Sequence, residues 1–142
     1  MMRIITGKAR GIRLETLQGD ATRPTSERAK EAVFSMLQFD IEGREVLDLF
    51  AGSGQMGLEA VSRGAASATF VEKSKQAAAV ISKNIEKTRL SESCRLLSSD
   101  VTDFIRAFKG KKNLAPLSRL FGKQFKHIKN SRLIMIIGMT FL

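Results

Sequence analysis

The sequence predicts an α/β chain, a Rossmann-like parallel sheet preceded by an N-terminal β-hairpin and helix. Three observations predict it. From Glu45 onward, short apolar runs alternate with segments whose apolar residues recur at helical spacing, the strand–turn–helix order of right-handed crossovers. The first of these runs ends at Gly52, Gly54 and Gly57, which fit the spacing G-x-G-x-x-G between a strand and a helix. A chain of 142 residues, 43% hydrophobic and 27% charged, has the composition of one soluble globular domain but is short for a complete doubly wound enzyme.

Each element has its own signal. Arg3–Leu17 places apolar and β-branched stretches on either side of a Gly-Lys-Ala-Arg-Gly turn, which predicts a basic hairpin presenting Lys8, Arg10 and Arg13. Pro24 followed by Thr25 and Ser26 opens a helix from about Ser26 to Leu37, with Ala29, Val33, Met36 and Leu37 at helical spacing. "EVLDLF" predicts a buried strand, "AGSG" the turn and "QMGLEAVSR" a helix stopped by Gly64. "SATFVEK" is a second strand. "SKQAAAVISKNIEKTRL" is a second helix, capped by Ser74, with Ala77, Ile81 and Ile85 on one face. "CRLLSSD" and "VTDFIRAFKG" supply a third strand and a third helix. The organisation is a hairpin and helix over residues 1–40, a sheet-forming half over 41–112, and a tail over 113–142.

The net charge of +10 favours polyanionic partners, with a solvated basic surface as the alternative. All 14 acids lie at or before Asp103, so the last 30 residues, with five Lys and Arg, carry half of the excess. Cys94 is the one cysteine, which excludes an internal disulfide and suits a reducing compartment; a small buried residue at a strand start is expected there. His127 stands without ligand-type neighbours, so no metal is expected. "MMRIITGKARG" lacks a secretory apolar core and "LIMIIGMTFL" is too short to span a bilayer, so a cytoplasmic protein without membrane attachment is expected.

The glycine turn calls for a ligand beside the carboxyl ends of the strands. Glu72 lies 18 positions after Gly54, at the end of the second strand, where a carboxylate can accept both ribose hydroxyls of an adenosine. A dinucleotide would bring a pyrophosphate to the helix N-terminus; S-adenosylmethionine brings a cationic sulfonium and no phosphate. Asp48, just before the turn, favours the cation, and Asp100 at the end of the third strand is placed for the adenine amino group. The structural alternatives are a helix-capping Asp48, an ordinary exposed Glu72, and Asp100 as the N-cap of the next helix. Together the acids favour S-adenosylmethionine.

"RIITGKARGIRLETLQGDATRPTSERAKEAVFSML" followed by "VLDLFAGSGQMGLEAVSRGAASATFVEK" resembles the bacterial RsmD family, the 16S ribosomal RNA guanine-N2 methyltransferases, over about residues 3–112. The resemblance implies an incomplete class I S-adenosylmethionine-dependent methyltransferase fold and ribosomal RNA or the small ribosomal subunit as partner. It implies that Asp48, Phe50, Gly52 and Gly54 line the cofactor turn, and that Glu72 takes the ribose and Asp100 with Val101 the adenine. Arg23 and Thr25 would close over the cofactor, and Lys8, Arg10 and Arg13 would meet RNA.

In the family a fourth strand ends in Asn or Asp, Pro-Pro and an aromatic residue, usually Tyr. These groups align the guanine amine and stack on its base, which is catalysis by positioning. This sequence has only two prolines, Pro24 and Pro116, and no tyrosine, so that segment is not among its residues. A reading-frame shift near codon 112 is the expected origin of the acid-free tail, with a divergent tail as the alternative. The first strand, central in the family sheet, is expected to lose its partner on one side, which would weaken cofactor binding. "RLIMIIGMTF" either replaces the lost strand or is an aggregation-prone segment, and the second is the expectation. The functional alternatives are a non-catalytic basic RNA-binding fragment and a nicotinamide-binding fragment.

Overall fold

The computed structural model describes residues 2–17, 27–109, 125–127 and 133–137. The chain runs through α1 (Glu27–Leu37), β1 (Glu45–Leu49), α2 (Gln55–Ser62), β2 (Ser67–Glu72) and α3 (Lys75–Thr88). A single 3-10 turn at Ser91–Ser93 leads to β3 (Cys94–Ser98), α4 (Val101–Lys109), β4 (Phe125–His127) and β5 (Leu133–Ile137). The expected helix start at Ser26 falls outside the described residues, as do Arg23 and Thr25.

The strands form one sheet in the order β3-β2-β1-β5-β4. β1 is parallel to β2 on one side and to β5 on the other, and β2 is parallel to β3. β4 runs antiparallel to β5, so the sheet is mixed at that edge. This corrects the expectation that β1 would lose its partner on one side: the tail's apolar run supplies the replacement strand, the alternative to an aggregation-prone segment. Leu133–Ile137 lies in register with Glu45–Leu49 and covers the exposed row of N–H and C=O groups on β1. An uncharged, β-branched segment is the partner such an edge accepts most readily.

Alternation along the strands sends side chains to two cores. Val46, Ala68 and Phe70 join α1, α2, α3 and the hairpin in the larger cluster, while Leu47, Leu49 and Val71 pack against Val101 and Ile105 of α4. Helices therefore cover both faces of the sheet, as a parallel sheet requires. The α3 stripe is as expected: Ala77, Ile81 and Ile85 are buried, and Ser74 caps the helix by accepting the Ala77 N–H at 3.3 Å. In α1 the buried face is Lys30, Val33, Phe34 and Leu37, and Met36, expected on that face, is 75% exposed. Lys30 and Phe34 take its place because the side of α1 that meets the hairpin and α2 is rich in polar contacts as well as apolar ones.

The hairpin is held by Ile4 N–H donating to Ile12 at 3.0 Å, Gly11 N–H to Ile4 at 2.8 Å and Leu14 N–H to Met2 at 3.0 Å. α2 grips it through two buried polar side chains. Ser62 Oγ accepts the Ala9 N–H at 2.9 Å and donates to the Thr6 carbonyl at 2.6 Å, and the Ser62 carbonyl accepts the Lys8 N–H at 2.9 Å. Gly7 sits above that carbonyl with φ +92°, where a β-carbon would overlap the Ser62 backbone. The Glu59 carboxylate accepts the N–H groups of Ile5 at 2.9 Å and Thr6 at 3.0 Å and pairs with Arg63 at 2.9 Å. It also pairs with Lys30 at 3.3 Å, whose Nζ donates to the Arg3 carbonyl at 2.7 Å. Arg63 in turn lies over the Phe34 ring, 4.7 Å from its centroid.

Removing Glu59 would leave the Lys30 ammonium buried with only the weaker effect of the Glu27 charge to offset it. Burial already lowers the Lys30 pKa, and the Glu59 charge opposes that shift. Glu59→Ala is expected to cost about 3–5 kcal/mol in urea unfolding. Pairing it with Lys30→Met is expected to recover part of that loss, and a double variant no more stable than Glu59→Ala would contradict this account.

Candidate functional site

β1 ends at Leu49, and the chain turns at Phe50, which adopts the left-handed conformation at φ 57°. Gly52 and Gly54 follow at φ 60° and 81°. Three backbone N–H groups of this glycine pattern are already engaged within the fold. Gly52 N–H donates to Glu72 Oε2 at 2.9 Å, Gly54 N–H to the Ala51 carbonyl at 2.8 Å, and Gly57 N–H to Asp48 Oδ2 at 3.0 Å. Gly57 itself is required by packing, since a β-carbon there would overlap the Phe70 ring of β2.

Asp48 is fully buried beneath the start of α2, where a carboxylate complements the helix N-terminus. Burial pushes its pKa up to about 8, the Gly57 hydrogen bond opposes the shift, and the nearby Glu72 charge adds to it. Its second oxygen, Oδ1, has no hydrogen-bond partner among the described residues. The helix-capping alternative for Asp48 is thus what the geometry contains, with one oxygen left over.

Glu72, at the end of β2, uses one oxygen on Gly52 N–H and the other on Ser74 N–H at 3.0 Å. Two ionised carboxylate oxygens offer about four acceptor sites, so roughly two remain for a ligand. Asp100 caps α4: its Oδ1 accepts the Thr102 N–H at 2.8 Å, and that backbone bond leads the effects that lower its pKa. Lys73 lies 3.9 Å from the other Asp100 oxygen. Phe50, Val71, Glu72, Lys73, Ser74, Asp100 and Val101 line a cleft of about 450 Å³ at the carboxyl ends of β1, β2 and β3. That volume lies in the range of small-molecule sites.

The structure therefore brings Phe50, Glu72, Asp100 and Val101 to one cleft, with Gly52 tied to it through Glu72 and Gly54 at the entry to α2. Asp48 lies under the turn and does not line the cleft. Lys8, Arg10 and Arg13 are exposed on the hairpin. Lys73 and Ser74 were not singled out from sequence as lining residues; their place immediately after Glu72 was the available signal. Cys94 stands at the start of β3 half-buried, and burial pushes its thiol pKa up to about 12, which leaves it a poor nucleophile. Among the described residues no His, Cys, Asp and Glu side chains group as a metal site, and no helix is long and apolar enough to cross a membrane.

A parallel Rossmann-like sheet with a glycine turn and acids at successive strand ends defines the fold of S-adenosylmethionine-dependent methyltransferases. An O-methyltransferase from Bacillus cereus solved with S-adenosylhomocysteine shares that fold at TM-score 0.54 and 16% identity, over 62% of this chain and 40% of that one. The chain belongs to the RsmD family: the family described as Conserved hypothetical protein 95 matches residues 2–115. It is 40% identical over 106 residues to the ribosomal RNA small subunit methyltransferase D of Haemophilus influenzae, covering 74% of this chain and 55% of that protein. The Escherichia coli K12 protein of the same name is 38% identical over 104 residues, with 73% and 52% covered. A solved hypothetical protein from Thermus thermophilus superposes at TM-score 0.71 with 33% identity, over 86% of this chain and 75% of that one. The chain spans about half the length of the curated relatives it matches.

The raised pKa of Asp48 has a pH consequence. The folded chain keeps a proton on this group up to about 8, whereas the unfolded chain releases it near 3.8. Its contribution to stability is therefore full below the unfolded value and is lost as pH rises through the folded one. Asp48→Asn, which keeps an acceptor for Gly57 N–H, is expected to flatten that decline in urea unfolding measured between pH 3.8 and about 8, the window set by the unfolded and folded values. An unchanged slope would contradict the assignment.

Proposed function

We propose that the chain is a cofactor-binding member of an S-adenosylmethionine-dependent ribosomal RNA methyltransferase family, with its cleft as the adenosine site. The observation that carries this reading is how the turn's donors are used: carboxylates occupy the Gly52 and Gly57 N–H groups, where a dinucleotide site would offer them to a pyrophosphate. An anionic ligand gains nothing at a turn whose donors are taken by acids. A cationic sulfonium is favoured by the acids that line the cleft, Glu72 and Asp100, whereas Asp48, which keeps its proton up to about 8, adds no charge.

On this reading Glu72 accepts the ribose hydroxyls with its remaining lone pairs, and Asp100 with Val101 faces the adenine. Phe50 and Val71 supply apolar surface. Arg23 and Thr25, to which the family resemblance gives a cofactor role, lie outside the described residues. Asp48 holds the turn from beneath through the Gly57 N–H. When bound, the cofactor would supply the electrophilic methyl group; the residues named here hold and orient it.

The exposed Lys8, Arg10 and Arg13 supply the basic face for small-subunit ribosomal RNA, with the exocyclic N2 of a guanine as the family's acceptor. The relatives named above are ribosomal RNA small subunit methyltransferases, which supports the substrate class. The sequence contains neither adjacent prolines nor tyrosine, so the residues that would position the guanine are not among those present. We therefore propose that this chain binds cofactor and RNA without transferring methyl. The second reading, a basic RNA-binding fragment that takes no cofactor, rests on the same missing residues.

S-adenosylhomocysteine is expected to raise the thermal midpoint of the purified chain, by about 2.7 kcal/mol of stabilisation at a hundredfold excess over its Kd. Glu72→Gln, which keeps an acceptor but loses the charge, is expected to weaken binding by about tenfold or more. Transfer of labelled methyl to small-subunit RNA is expected to stay at the no-enzyme level. No midpoint shift with the wild-type chain would favour the fragment reading, and incorporation of label would overturn the inactivity.

A further inference from the structure

The turn is gripped from two sides. Glu72 holds Gly52 from the cleft, and from behind the next residue, Ser53, is held by Asn84 of α3. Asn84 is fully buried, and its side-chain amide makes three hydrogen bonds. Its Oδ1 accepts the Glu15 N–H at 2.7 Å, and its Nδ2 donates to the Glu15 carbonyl at 3.0 Å and to the Ser53 carbonyl at 2.9 Å. The amide thus acts as a one-residue strand partner for Glu15 and spends its second hydrogen on the glycine turn.

Only asparagine meets all three demands at this length. Aspartate has no donor, and serine cannot both accept from one backbone group and donate to two others. Glu15 follows the hairpin's second arm directly, and Leu14 N–H is bonded to the Met2 carbonyl at 3.0 Å. Two weaker ties run alongside. Ser53 Oγ donates to Met2 Sδ at 3.2 Å, and Lys87 pairs with Glu15 at 3.1 Å on the surface.

We propose that Asn84 is a positioning residue that links Glu15, at the end of the N-terminal arm, to the cofactor turn, so that a ligand seated in the cleft also tightens the chain at Glu15. The inference rests on the adenosine reading of the cleft. A ligand on Glu72 favours the turn conformation in which the Ser53 carbonyl faces Asn84, and that conformation fixes the amide that holds Glu15. By reciprocity, whatever orders the chain at Glu15 favours the cofactor equally.

The test is native-state hydrogen exchange on the full chain with and without S-adenosylhomocysteine, with affinities by calorimetry. Ligand stabilises the whole fold, so the Glu15 amide is compared with the Ile4 amide, which is held within the hairpin by Ile12. Saturation is expected to slow Glu15 by about fivefold more than Ile4. Asn84→Asp, measured where it is fully folded, is expected to bind S-adenosylhomocysteine about tenfold more weakly. Lys87→Ala, which removes only the surface tie to Glu15, is expected to bind as the wild type does. Equal slowing of Glu15 and Ile4 in a wild-type chain that binds the ligand would overturn the link while leaving the adenosine reading intact. If Asn84→Asp does not fold, that wild-type comparison decides. A wild-type chain that takes up no ligand removes the adenosine reading, and this inference with it.

Discussion

Helix α2 is fastened to the sheet by the hydrogen bond from Gly57 N–H to the buried side chain of Asp48, and the turn of the N-terminal hairpin hangs on that helix. Gly57 lets α2 lie against Phe70 of β2, and the Asp48 bond fixes where the helix starts. From that start, Glu59 and Ser62 fall on the side that meets the hairpin. They collect the backbone groups of Ile5, Thr6 and Ala9. One short helix thus orders the glycine turn at one end and the basic hairpin along its flank.

The same constraint decides what the turn can hold. Glycine spacing alone admits a dinucleotide, and the backbone at Gly52 and Gly54 has the left-handed conformations such a turn needs. The difference lies in the donors. Asp48 and Glu72 supply acceptors from within the protein, so the turn is organised by carboxylates, and its ligand is selected by the acids at the strand ends. Asp48 meets this role at a cost, since burial raises its pKa and leaves one oxygen without a partner among the described residues.

Much of this was legible in the sequence because strand and helix periods alternate cleanly from Glu45 to Lys109. The Ser74 cap, the apolar stripe of α3 and the cleft positions of Phe50, Glu72, Asp100 and Val101 followed from spacing and resemblance. Polar residues that work inside the fold were not legible. Glu59 and Asn84 read as ordinary helix-surface residues, although Asn84 stands three positions after Ile81 on the same face. Each binds backbone groups at the N-terminal arm more than fifty positions away in sequence, and no local pattern announces such bonds. The tail misled for a related reason. Its pairing depends on the open edge of β1, a property of the assembled sheet and not of Leu133–Ile137 alone.

With β5 beside β1, the first strand has a neighbour on each side, and the turn that follows it is carried on a closed part of the sheet. The central claim is that acidic side chains hold this turn's amides and thereby select an adenosine ligand without phosphates over a pyrophosphate. An amide NMR titration of the labelled chain with S-adenosylhomocysteine and, separately, with NADH tests it most directly. The account predicts saturable shifts at Gly52 and around Glu72, Asp100 and Val101 with the first ligand and none with the second. Saturable shifts of Gly52 and Gly57 with NADH would contradict it.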